Sequence, residues 1–120
     1  MLAFCSNAIS CSNNNNDCIS YQTAPVTRVE SPATGLINQD IPITVYFGIF
    51  SGCGQFSSFE SFAEADTTFI RVKAKYAGCI CTEIAGTLSS AYTFRSSQPG
   101  TFYFKFESGQ DILRDTVVIQ

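Results

Sequence analysis

Histidine and tryptophan are both missing from this 120-residue chain, methionine occurs once, and charged residues make up only 14% of it. Without histidine the chain lacks the usual general base and the commonest metal ligand. Without tryptophan it lacks the best ring for stacking on a sugar or a cation. The net charge is −3, so there is no whole-chain basic footprint for nucleic acid. No apolar run reaches the roughly 18 residues of a membrane-spanning helix. A Gly-rich phosphate loop, a G-x-S-x-G elbow and a C-x-x-C zinc knuckle are also missing. Together these absences point away from an enzyme, from any cofactor and from a metal site.

What is present is apolar and rich in sulfur. Hydrophobic residues make up 45% of the chain, with eleven Phe, five Tyr and six Cys. That is too apolar for disorder and enough for one core, so a single domain with a tail is expected. Six cysteines without zinc spacing indicate disulfides in an exported protein, because cytosolic thiols stay reduced.

Residues 1–10, "MLAFCSNAIS", are weakly apolar and uncharged, and the first cation is Arg28. This stretch reads as the end of a signal peptide. Ala8-Ile9-Ser10-Cys11 resembles a bacterial lipobox, which implies cleavage before Cys11 and lipid on its thiol. Leu2-Ala3-Phe4-Cys5 matches less well because a bulky Phe precedes the cysteine. The "SNNNND" run that follows cannot bury enough surface to offset its ordering and is expected to be a flexible tether. Residues 1–22 are therefore assigned to signal remnant, lipobox-like segment and tether, and 23–120 to the folded domain.

The domain reads as strands broken by turn signals every 8–12 residues. In "IPITVYFGIF", Ile41, Ile43, Val45, Phe47 and Ile49 share one phase. In "TFIRVKAKY", Ile70, Val72, Ala74 and Tyr76 oppose Arg71, Lys73 and Lys75. In "TFYFKFE", Phe102, Phe104 and Phe106 point inward. "QFSSFESF" is less regular, with Phe56 and Phe62 in one phase and Phe59 in the other, and core packing is expected of all three. Adding "APVTRVES", "TLSSAYTF" and "ILRDTVVI" gives about seven strands and no helix. The expected fold is all-β: an antiparallel immunoglobulin-like β-sandwich with Greek-key connections behind a flexible N-terminal tail.

"GLINQDIPITVYF", "GCGQFSSFE", "AKYAGCICTEI" and "PGTFYFKF" together resemble small uncharacterised envelope lipoproteins of the Bacteroidetes with an immunoglobulin-like sandwich. The resemblance covers roughly residues 25–120. It implies fold and envelope location, at the outer membrane or cell surface, and carries no activity or ligand.

If Cys5 is removed and Cys11 lipidated, Cys18, Cys53, Cys79 and Cys81 remain. Bonding Cys79 to Cys81 would close a tiny strained ring. Cys53 is therefore expected to pair with one of these two and Cys18 with the other. A redox C-x-C pair is the rival reading, but nothing nearby lowers a thiol pKa. Arg71, Lys73 and Lys75 form a basic ridge that would suit an anionic partner. The alternative is a solvated face paired across strands with residues such as Glu107. Glu60, Glu64, Asp66 and Glu83 show no spacing that demands an acid–base pair, and the Asn run lacks the pattern of a calcium loop. Asp66-Thr67-Thr68 resembles the O-glycosylation acceptor of Bacteroidetes, with Thr67 as the modified residue. Asp115-Thr116-Val117 also matches but sits mid-strand.

The expected function is non-enzymatic: a lipid-anchored envelope protein, held on the membrane through its N-terminal lipid, that binds or supports a protein partner in a surface assembly. The alternative is a small secreted carbohydrate- or protein-binding domain without lipid.

Overall fold

A computed structural model describes residues 18–120 of the chain. They form nine strands: β1 (Ile19–Ala24), β2 (Val26–Glu30), β3 (Thr34–Gly35), β4 (Ile41–Ile49), β5 (Gly54–Glu64), β6 (Thr67–Ala77), β7 (Gly86–Phe94), β8 (Gly100–Ser108) and β9 (Asp111–Ile119). β2, β4 and β7 make a three-stranded sheet, and the other six strands make the second sheet. The protein is an all-β two-sheet sandwich.

Alternation explains which side chains fill it. On β4, Ile41, Ile43, Val45 and Phe47 are completely or almost completely buried; on β6 the same holds for Ile70, Val72 and Ala74, and on β8 for Phe104 and Phe106. Val26, Val117 and Ile119 close the core. These strands have one wet face, so a period of two sorts their side chains cleanly.

β6 organises the larger sheet. β5 pairs antiparallel along one of its edges, from Glu64↔Thr67 to Gly54↔Tyr76. Two strands share the opposite edge: β8 runs parallel along Thr67–Ile70, and β1 antiparallel along Val72–Ala77. β9 pairs with β8, and β3 adds a short parallel pairing to β9. Two of these pairings are parallel, where the sequence suggested antiparallel neighbours throughout. Alternation fixes the face of a side chain but not the direction of the neighbouring strand.

Nine strands replace the expected seven. The additions are β3, two residues long, and β1, which takes up residues 19–22 that had been assigned to the tether. β1 shows no burial alternation: Tyr21, Gln22 and Thr23 are all exposed. Pairing to β6, and not a hydrophobic pattern of its own, holds it. At Pro25 the chain leaves this sheet for the other one, and Gly48 N–H donates to the Pro25 carbonyl at 2.9 Å. Proline has no N–H to give to a ladder, so it suits the point where a strand changes sheets.

The irregular phase of β5 also has a cause. Its register shifts between Phe56 and Ser58, leaving Ser57 as an extra residue. Such a bulge inverts the phase beyond it. Phe56 and Phe59 therefore both pack against the core, with ring centroids 4.8 Å apart. Phe62 is carried to the outer face, 63% exposed.

The contrast between two phenylalanines tests this packing. Phe47→Ala should cost about 3–5 kcal/mol, whereas Phe62→Ala should stay within about 0.5 kcal/mol of wild type, in urea denaturation with disulfides intact.

Candidate functional site

Two regions gather the chemically distinctive side chains: a disulfide-stapled tip and the outer face of the larger sheet. The tip is built by the turn after β4 and by residues 78–85 between β6 and β7. Cys18 bonds Cys79, with Cα atoms 4.9 Å apart, and Cys53 bonds Cys81, at 5.4 Å. The two pairs span 61 and 28 residues. Of the two connectivities open to the sequence, the structure holds this one.

Local backbone sets the staple. Gly78 has φ +136°, and a β-carbon placed on it would lie 2.8 Å from Cys53 Sγ. Glycine is therefore required twice there, by conformation and by space. Gly78 N–H donates to the Cys18 carbonyl at 2.9 Å, and Gly52 N–H to the Thr82 carbonyl at 2.8 Å. Phe50 N–H donates to the Tyr76 hydroxyl at 3.1 Å, and the Phe50 ring stacks on Tyr76 with centroids 4.1 Å apart.

The outer face is laid out in cross-strand rows. Register puts Glu60 beside Arg71 and Phe62 beside Phe69; Phe69 neighbours Lys105. Lys105 in turn faces Arg114, and Glu107 faces Ile112. Arg71 Nε donates to Glu107 Oε1 at 2.9 Å, and Arg71 Nη1 to Glu60 Oε1 at 3.4 Å. The hydrogen bond and charge of Glu107 first, then those of Glu60, hold the Arg71 guanidinium above its ordinary pKa. Lys105 Nζ lies 5.3 Å from the Phe69 ring centroid. A groove of about 420 Å³ runs over these rows, between the Phe62–Phe69 pair on one side and Asp111 and Ile112 on the other.

The three ridge cations do share the face that alternation assigns them, but they differ in state. Arg71 lies between two carboxylates, one of them the Glu107 named as a cross-strand partner. Lys73 and Lys75 make no ion pair among the described residues. Phe62, expected in the core, is instead a groove wall. Glu64 and Asp66 sit at the β5–β6 hairpin and Glu83 in the tip loop, away from Glu60. Among the described residues no three His, Cys, Asp or Glu side chains gather as a cation-holding group. Thr67 opens β6 half-buried, opposite Glu64 and next to Tyr103, whose N–H donates to the Asp66 carbonyl at 2.9 Å. Asp115 accepts a hydrogen bond from the Ser31 hydroxyl. Cys11, Cys5 and the Asn run lie outside the described residues. Among the described residues no helix is long and apolar enough to cross a membrane.

The groove escaped the sequence reading because it joins β5, β6, β8 and β9 in an order the chain does not follow. The available signal was the outward phase of Glu60, Arg71 and Glu107 together. No protein-family model, curated protein or solved structure matches the chain.

Non-reducing digestion should yield two linked species, Cys18 with Cys79 and Cys53 with Cys81, separable by cleavage at Ile80. Removing the Cys18–Cys79 pair by double serine substitution should cost about 4 kcal/mol, and the Cys53–Cys81 pair about 3.5 kcal/mol, by the chain-entropy relation. A Cys18–Cys81 or Cys53–Cys79 link, or free thiols at the four positions, would contradict this arrangement.

Proposed function

We propose that the protein is an exported, non-enzymatic envelope lipoprotein of Bacteroidetes type, anchored through lipid on Cys11 and serving a binding or structural role in a surface assembly. The observation that carries this reading is the covalent fastening of Cys18 to residue 79. A domain hung from its N-terminal segment gains from having that segment tied into the fold where it enters. The two disulfides fit an oxidising, extracytoplasmic compartment. Location at the outer membrane or cell surface is part of the proposal and follows from the lipobox-like Ala8-Ile9-Ser10-Cys11.

The immunoglobulin-like assignment belongs to the same proposal. A three-stranded sheet facing a larger one, with connections that cross between them, supports it. The parallel β6–β8 and β3–β9 pairings depart from the antiparallel sheets of that fold.

A second reading, a secreted carbohydrate- or protein-binding domain without lipid, draws on the outer-face groove. The rings of Phe62 and Phe69 line it, Phe62 63% exposed, beside charges of both signs. Apolar rings next to a few fixed polar groups are what a ligand site needs.

Cys11→Ala, made with the full native signal, should move the protein from the membrane to the soluble fraction without lowering its unfolding midpoint. A variant as membrane-bound as wild type would rule out the lipid anchor, and a soluble wild type would favour the second reading. Modification of Thr67 is expected to add glycan mass to protein from the native host, lost in Thr67→Ala; an unmodified intact mass would end that expectation.

A further inference from the structure

The stapled tip carries exposed apolar surface. Cys79 and Cys81 both turn their sulfurs to partners in the fold, Cys18 and Cys53. Ile80, the residue between them, is 94% exposed. Ile84 in the same loop is 65% exposed, and Phe50 on the facing turn 58%. The Gly52–Thr82 hydrogen bond holds the two segments together, and Gly86, two residues beyond Ile84, pairs with Ile49, next to Phe50. In residues 50–53 and 78–85 the one charged side chain is Glu83.

The position of the N-terminal segment identifies what meets this surface. Cys18 is part of the tip, and Cys11 precedes it by seven residues. Fully extended, those residues reach at most about 25 Å. The opposite end of the sandwich, where Leu36 is exposed, lies a further nine residues of β4 away, roughly 30 Å. We propose that Phe50, Ile80 and Ile84 form a membrane-seating face, inserted at the headgroup level of the bilayer that holds the Cys11 lipid. This rests on the lipid-anchor reading. Side chains of this kind gain by leaving water at the headgroup–acyl boundary, and a rigid loop presents them without an ordering cost. Lys75 and Lys73 lie on β6 just before the tip and make no ion pair among the described residues, which suits anionic headgroups.

The lack of tryptophan makes a clean probe. Full-length Ile80→Trp and Leu36→Trp proteins, lipidated in the native host, are reconstituted into phosphatidylethanolamine–phosphatidylglycerol vesicles. Both positions are exposed, so neither change disturbs the core. The Ile80→Trp emission should shift to the blue and be quenched about two-fold or more by brominated acyl chains, as burial about 5–10 Å into the boundary requires. Leu36→Trp should stay red and unquenched. Protein that floats with vesicles while Ile80→Trp also stays red and unquenched overturns the seating and gives the tip to a protein partner. Equal quenching at both positions overturns it too, since the domain would then lie on its side. Protein that fails to float refutes the lipid anchor, and with it this orientation.

Discussion

Hydrogen bonding along both edges of β6 is the constraint from which the rest of the structure follows. β5 occupies one edge over almost the whole strand, and β8 and β1 divide the other between Thr67–Ile70 and Val72–Ala77. A strand enclosed in this way must bury one face, and Ile70, Val72, Ala74 and Tyr76 bring it into the core that also holds the β4 side chains. Its other face meets three neighbouring strands, which is why Arg71 finds a carboxylate on each side. Its end delivers the chain to the cysteine loop, so the staple inherits its position from the same ladder.

Division of that edge also explains the groove. β8 cannot continue along β6 past the level at which β1 begins, so it turns back at Gly109, which adopts φ +66°. The returning strand brings Asp111 and Ile112 beside Glu107, opposite the wall made by Phe62 and Phe69. One extra residue at Ser57 completes the arrangement by sending Phe62 outward. The most exposed aromatic surface of this sheet is thus a product of one bulge and one shared edge.

Half-buried strands wrote their faces into the sequence, and β4, β6 and β8 were legible from alternation alone. β5 was not, because a bulge leaves no mark except a broken phase. β1 was not, because its partners and a disulfide hold it where a hydrophobic pattern would otherwise be needed. Strand neighbours were illegible for a different reason: alternation carries no information about who sits alongside. The same limit applies to the site. The outward phase of Arg71, Lys73 and Lys75 could be read, and Glu107 could be named as a partner, but the groove needed the strand order. The cysteines narrowed to two connectivities because a bond between Cys79 and Cys81, two residues apart, would close a tiny strained ring. Only the place where Cys18 enters the sheet separates them.

The interleaving of the two disulfides has a mechanical consequence. Cys53 lies between Cys18 and Cys79 in the chain, and its partner Cys81 lies beyond Cys79. Tension applied at the N-terminal end would reach Cys18 and pass through sulfur to residue 79 before any hydrogen bond of β1 is loaded. From Cys79 it passes along the backbone to Cys81 and through the second bridge to the start of β5. β1 is therefore shielded from being peeled off β6 one bond at a time. The pull is spread across the bases of two paired strands, whose ladders resist together in shear. A domain built this way resists unravelling from its N-terminal end.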